Sequence, residues 1–281
     1  MTSALAGEPG VDMLDTVIPA DAKIGTLIIN ADDWGRSVEI TDRILDCALS
    51  GVVSSTSAMV FLEDSERAAD LALQHNIDTG LHLNLTTPLS APNCPVRLRE
   101  QQQKLANFLR AYRLCRAIYH PGLAGAFDFV VRAQLDEYQR LYRRPAARID
   151  GHHHMHLCAN VQLQRLLPQG TIVRRNFSFE PGEKSTVNRL YRQWQDKRLL
   201  QRHRSTDYFF SLPPMNPSGR LEKICSLATH SSVEVETHPV NRDEFAFLMN
   251  GELTRLAKGI GVARDYSLAE RRVAGSLGSR S

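Results

Sequence analysis

Short apolar runs alternate with amphipathic stretches along most of this chain. Residues 26–31 (TLIINA) are apolar and β-rich, the pattern of a strand buried on both faces. Residues 38–50 place Val38, Ile40, Ile44, Leu45, Ala48 and Leu49 on one helical stripe, closed by Gly51. The pattern predicts a second strand over 52–60 and a second helix over 64–74. A third strand over 79–85 sets His82 and Asn84 on one face, with Leu81, Leu83 and Leu85 on the other. Phe127, Val130, Val131, Leu135, Tyr138 and Leu141 define a helix over 127–142. Further strands are expected at 147–151, 171–175, 207–212 and 232–237, with helical segments between them. Recurring βα units imply a parallel sheet with right-handed crossovers. Seven or so strands without a long linker favour an α/β fold closed or nearly closed into a (β/α) TIM-like barrel, in a single domain.

Two stretches interrupt that rhythm. Residues 87–126 are too long for a simple loop and are expected to hold a helix around 98–119. Residues 184–204 are strongly basic, carrying Lys184, Arg189, Arg192, Lys197, Arg198, Arg202 and Arg204. The ends read as a loose leader over 1–23 and a mobile tail over 267–281, leaving 24–266 for the barrel.

Composition narrows the classes. An apolar share of 42% and a charged share of 23% over 281 residues are globular values. No apolar run approaches the roughly 20 residues of a membrane span. A formal charge of +3 is too mild to indicate nucleic-acid binding. Cys47, Cys94, Cys115, Cys158 and Cys225 are odd in number, widely spaced and without a C-x-x-C pair, which fits a reducing cytoplasm. No Gly-rich phosphate loop or dinucleotide fingerprint is present.

Polar residues concentrate in four segments, each at the carboxyl end of an expected strand, where barrel enzymes carry their catalytic groups. The first is Asn30-Ala31-Asp32-Asp33-Trp34-Gly35, two adjacent carboxylates straight after an apolar strand. In regular strand they would face opposite ways, but Gly35 lets the chain bend so that both reach one pocket. The competing reading is a helix N-cap with a spare carboxylate. The second is Gly80-Leu81-His82-Leu83-Asn84-Leu85-Thr86, whose single His, taken alone, is a hydrogen-bonded core residue.

The third is Asp150-Gly151-His152-His153-His154-Met155-His156. Extended backbone would align Asp150, His152 and His154, whereas a helical turn would align His152 with His156. Four imidazoles in five residues point to metal binding, with a pH-sensing cluster as the alternative. The fourth, Val233-Glu234-Val235-Glu236-Thr237-His238, delivers a His at its end; as an ordinary edge strand it would leave Glu234 and Glu236 solvated. Together the segments offer one carboxylate and two imidazoles for a metal, plus a carboxylate and an imidazole for proton transfer. Two imidazoles with one carboxylate leave coordination positions open, as a hydrolytic site requires.

At these residues the sequence resembles the YdjC-type carbohydrate deacetylases, which include chitooligosaccharide and hopanoid-associated deacetylases. NADDWG at 30–35, GLHLNLT at 80–86 and DGHHHMH at 150–156 carry the likeness, with THPVNRDEFAFL at 237–248 as a weaker fourth stretch. Trp34 stands where that family usually has Phe, at a position expected to wall the pocket. The resemblance implies a distorted (β/α) barrel that uses one divalent ion, zinc or magnesium foremost, to remove acetyl groups from N-acetylated amino sugars. It makes Asp33, His82 and His152 the ligands, Asp32 the general base and His238 the general acid. His154 and His156 become substrate contacts or supports for the ligands, with His156 replacing His152 if that segment is helical.

Arg174 and Arg175 follow another strand, either to bind substrate hydroxyls or an anionic group, or as plain surface residues. Residues 87–126 are expected to cover the barrel mouth. The basic 184–204 segment reads as a solvated face, or as a contact for an anionic substrate (nucleotide- or lipid-linked) or an anionic membrane surface. A homodimer is left open. Alternatives are another barrel metallohydrolase (a phosphoesterase or amidase) and a non-catalytic sugar- or metal-binding module. A glycosidase is excluded because adjacent Asp32 and Asp33 cannot flank a scissile bond from two sides.

Overall fold

The computed structural model describes residues 25–178, 185–216 and 219–266. The expected leader and tail lie outside these described residues. Seven strands form one sheet: β1 (Thr26–Trp34), β2 (Ser55–Ala58), β3 (Thr79–Leu83), β4 (Arg148–Gly151), β5 (Ile172–Val173), β6 (Tyr208–Ser211) and β7 (Ser232–Thr237). Nine α-helices accompany them among the described residues: α1 (Val38–Leu49), α2 (Ser65–His75), α3 (Val96–Ala111), α4 (Ala124–Tyr142), α5 (Ala159–Leu163), α6 (Thr186–Leu199), α7 (Gly219–Leu227), α8 (Arg242–Met249) and α9 (Glu252–Leu256).

The strand order is β5-β4-β3-β2-β1-β7-β6 and every pairing is parallel. That is the cyclic order of a barrel cut between β5 and β6: the expected TIM-like strand order is present as a curled, seven-stranded part-barrel, and of the closed or nearly closed forms expected, the full ring is not formed among the described residues. Two-residue β5 is too short to carry a ladder to β6. The seam is stitched instead by Ser178 and Phe209, whose backbone N–H groups donate to the Phe209 carbonyl (2.8 Å) and the Ser178 hydroxyl (3.1 Å). A bridge between Ile172 and Arg204 adds a second stitch.

The outward faces of the strands bury Leu27, Ile29, Leu81, Leu83, Ile149, Val173, Val233 and Val235 beneath the helices. The inward positions are different. Ile28 and Ile172 join Ala263 and Tyr266 in a small apolar cluster. Further along each strand the interior turns polar: Asn30 and Asp32, Ser55 and Ser57, His82, Arg148 and Asp150, Arg174, Glu234 and Glu236, all buried. Gly80 makes room for this layer, because a Cβ there would stand 2.8 Å from the Arg148 guanidinium carbon.

The interrupting segment 87–126 contains α3, but the helix stops at Ala111, short of the expected 119. Leu98, Leu105 and Leu109 are its buried stripe; Tyr112, Leu114 and Ile118 beyond it are exposed, so no core contact extends the helix. Short 3-10 turns over Arg113–Arg116 and Pro121–Leu123 complete the segment. No helix among the described residues is long and apolar enough to cross a membrane, and all five cysteines are unpaired.

Candidate metal centre

The site begins with a fault in β1. Its register against β2 shifts between Ala31 and Trp34, and Asp33 adopts a left-handed φ of 72°. Asp tolerates this conformation better than most residues. The bulge turns both Asp32 and Asp33 inward. Trp34 consequently points outward into the core, where its indole N–H donates to the Ala68 carbonyl (3.1 Å). The expectation that Trp34 walls the pocket is therefore corrected. So is the N-cap reading of the aspartates, since Ser37 occupies the N-cap of α1.

Asp33, His82 and His152 meet at the carboxyl ends of β1, β3 and β4, with one donor atom from each within 4.8 Å of the others. His82 Nε2 lies 3.6 Å from Asp33 Oδ1 and 3.9 Å from Asp32 Oδ2. Its Nδ1 is held by Asp150 Oδ1 at 2.7 Å, which fixes the tautomer and aims Nε2 into the cluster. Burial would lower the His82 pKa, but Asp32 and Asp150 more than offset it and the value is raised. His152 goes the other way: burial dominates and favours the neutral, ligating imidazole. Burial would raise the Asp33 carboxyl, yet the nearness of His152, His82 and Arg36 holds it well below the usual range.

Beyond Gly151 the chain enters a 3-10 turn over His152–Leu157, with His153 and His154 both left-handed (φ 55° and 58°). Such consecutive strain collects at functional sites. The turn separates the four imidazoles. His152 joins the cluster, while His153 Nδ1 pairs with the Thr86 hydroxyl at 2.9 Å. His154 stands edge-on to Phe177 with ring centroids 4.7 Å apart. His156 is fully buried with Nε2 on the Arg174 carbonyl (2.8 Å), so it does not replace His152.

A cavity of about 670 Å3 opens over these strand ends. Asp32, Asp33, His82, His152, His154 and Glu236 line it, as does His238 from the end of β7. Arg110 and Arg116 reach it from the 87–126 segment, which thus borders the mouth as expected.

Arg174 is 2% exposed and does not lie on the surface. Its guanidinium binds both oxygens of Asp32 (2.7 and 2.8 Å), with Asp150 at 3.0 Å, Glu234 at 2.8 Å and Glu236 at 3.4 Å. Arg175 pairs with Asp196 at 3.1 Å. Both guanidinium groups are committed to protein carboxylates, which corrects their reading as substrate contacts or free surface residues. Burial would raise the Asp32 pKa, but Arg174 and His82 hold it far below the ordinary value. A second set of potential ligands, Asp32, His82 and Asp150, is also close enough to hold an ion. The guanidinium between Asp32 and Asp150 already supplies the positive charge there, which argues against a two-metal site.

The glutamates of β7 were the least visible part of the site. β7 lies between β1 and β6, so the edge-strand reading fails and Glu234 and Glu236 face inward, 0% and 5% exposed. The Tyr266 hydroxyl donates to Glu234 Oε2 at 2.5 Å. Burial, with the Asp32 charge close by, pushes the Glu236 pKa well up. The available signal was the matched i, i+2 spacing of polar residues on several strands: Asn30/Asp32, Ser55/Ser57, Arg148/Asp150, Glu234/Glu236.

Asp150→Asn is expected to loosen His82 and weaken divalent-ion binding by about 10- to 100-fold. Isothermal titration with zinc or magnesium measures this, and wild-type affinity in the variant would exclude the orienting role.

Fold and site together define an open parallel α/β barrel with a buried Asp–His–His group and an adjoining carboxylate at the carboxyl ends of its strands. The profile of the family described as YdjC-like protein matches residues 26–258, and the chain belongs to that family. A carbohydrate deacetylase from Danio rerio is 28% identical over 163 residues, 56% of this chain and 50% of the relative. A chitooligosaccharide deacetylase from Yersinia pestis (strain Pestoides F) is 31% identical over 143 residues, 48% of this chain and 52% of the relative. The chain thus spans about half the length of the curated relatives it matches. A crystal structure from Enterococcus faecalis V583, of a protein named for cellobiose-phosphate cleavage, shares the fold. It aligns with a TM-score of 0.60 at 16% identity, over 87% of this chain and 98% of that one.

Proposed function

We propose that this chain is a metal-dependent carbohydrate deacetylase, a hydrolase that removes the acetyl group from an N-acetylated amino sugar. The convergence of Asp33, His82 and His152, with Asp32 beside them, is the observation that carries the reading. Membership of the YdjC-like family, and relatives named as deacetylases of carbohydrates, support the substrate class.

The donor set fits a divalent cation. Asp33 Oδ1 and His152 Nε2 are buried without a hydrogen-bond partner. Asp33 Oδ1 lies 3.0 Å from His152 Nδ1 but without hydrogen-bond alignment. Asp33, His82 and His152 would hold one ion, zinc or magnesium being suited to mixed oxygen and nitrogen ligands. When bound, such an ion polarises an acetamide carbonyl and lowers the pKa of a water toward roughly 7.

The chain's own groups do the remaining work. Asp32 Oδ1 already accepts from Arg174 and from the Asn30 amide (2.8 Å each). Oδ2 accepts from Arg174 alone, so one of its lone pairs stays free on the side of His82. Oδ2 is therefore the atom that takes the proton of the attacking water. His238, across the same cavity, donates a proton to the departing amine. His154, beside Phe177, contacts the sugar, and His156 supports the segment from behind. Free, nucleotide-linked and lipid-linked sugars all fall within this reading, and the setting is cytoplasmic.

The test is acetate release from N-acetylated sugars of those three kinds by chelated and metal-restored protein. Release that needs the metal is expected; equal release after thorough chelation, or none from any acetylated sugar, would sink the assignment.

A further inference from the structure

Helix α6 is amphipathic in the wrong direction for a helix that only covers a barrel. Its inner side carries buried Asp196 and Leu199, with half-buried Asn188 and Arg192. Asp196 is tied to Arg175 and to the Asn176 backbone N–H (3.0 Å). Its outer side carries Val187, Leu190, Tyr191 and Trp194, at the i, i+3, i+4, i+7 spacing of a single stripe. These side chains are 78%, 60%, 40% and 53% exposed. The Tyr191 and Trp194 rings stack on each other at 6.2 Å, and the Arg198 guanidinium lies 5.2 Å over the Trp194 ring. Lys197 and Arg198 flank the stripe, and both are exposed.

A second patch of the same character sits on the 87–126 segment. Tyr112, Leu114 and Ile118 are more than half exposed, and Arg110, Arg113 and Arg116 are interleaved with them. Both patches adjoin the stretch that follows β4. Gln195 of α6 donates to the Leu157 carbonyl (3.4 Å), and the His120 backbone N–H donates to Asn160 Oδ1 (2.9 Å). The second patch borders the end of the barrel at which the cavity opens, where Arg110 and Arg116 contribute to its lining, and α6 adjoins the same stretch after β4.

We propose that this basic, aromatic face docks the protein on an anionic lipid bilayer, with the cavity mouth toward the membrane. Apolar side chains in a row, Trp and Tyr among them, edged by Lys and Arg, are the composition of an interfacial helix. Contiguous exposed apolar surface marks a docking site. The charge selects the partner: a two-fold contact through this stripe would bring Lys197 and Arg198 of both copies into one interface, whereas acidic headgroups neutralise them. The stripe lies on the outer side of a helix, so it suits a deformable surface better than a folded acidic protein.

The experiment is sedimentation of the full chain with phosphatidylcholine vesicles, with and without phosphatidylserine, over a range of salt. Binding is expected only with phosphatidylserine and is expected to fall as salt rises. The chain has two tryptophans, and Trp34 is wholly buried, so a blue shift of emission on binding reports Trp194. Leu190→Ser with Trp194→Ser should weaken partition at least about tenfold, since each exposed side chain that inserts is worth roughly one such factor. Lys197→Glu with Arg198→Glu should abolish the phosphatidylserine dependence. Circular dichroism checks that these surface variants remain folded. No binding at low salt, or equal binding by the Leu190/Trp194 variant, overturns the proposal. A dimer that Trp194→Ser dissolves, in a chain that ignores vesicles, overturns it in favour of self-association.

Discussion

Asp32→Asn is expected to lower acetate release by about 10²–10⁴-fold, the usual loss when a general base is removed, while metal content per chain stays unchanged. The substitution keeps the size of the side chain and one oxygen to accept from Arg174, but it removes the basic lone pair. Asp32 is not one of the three residues grouped around the proposed ion, so binding and turnover should separate. That separation is the informative part. If metal and activity were lost together, Asp32 would be acting as a ligand; if activity survived, another group would be taking the proton, Glu236 being the one other carboxyl among the residues lining the cavity besides Asp32 and Asp33.

Arg174→Met carries the second large effect, on stability. The guanidinium is the shared counter-charge of Asp32, Asp150, Glu234 and Glu236, all buried. Among the described residues the other buried arginine of this interior is Arg148, 3.6 Å from Asp150. Removing one partner of a buried ion pair costs about 3–5 kcal/mol, because the remaining charges stay desolvated. For a chain of this size that corresponds to a fall of about 10 °C in Tm. Arg174→Lys should recover only part of it, since an ammonium cannot fork across both oxygens of Asp32. Thermal denaturation followed by circular dichroism makes the comparison. An unchanged Tm in Arg174→Met would mean that the carboxylates take up protons and need no guanidinium.

Much of this architecture was legible because period and chemistry agreed. The apolar strands and the stripe that became α1 could be placed from spacing and side-chain type, whereas Asp33, His82 and His152 were singled out together only through the family resemblance of their motifs. What escaped was set by tertiary position. Val-Glu-Val-Glu at 233–236 reads as a half-solvated edge, and only its place between β1 and β6 buries both glutamates. Arg174 is separated from Asp32 by 142 residues and from Glu234 by 60, so no local pattern announces their contact. The bulge that brings Asp33 inward also sends Trp34 outward, reversing the expected alternation. The gap between β5 and β6 is likewise set by tertiary position: within residues 171–175 only Ile172 and Val173 form strand, and Arg174, still hydrogen-bonded through its backbone to Ile149, turns its side chain to the interior charges.

The most direct measurement is the metal content of purified protein equilibrated with zinc or magnesium and then dialysed, read by elemental analysis for wild type, His82→Ala, His152→Ala and Asp32→Asn. One ion per chain in wild type and Asp32→Asn, with loss from both His variants, is the outcome required if strands β1, β3 and β4 build a single cation site. Full retention by His82→Ala and His152→Ala, in folded protein, would contradict it.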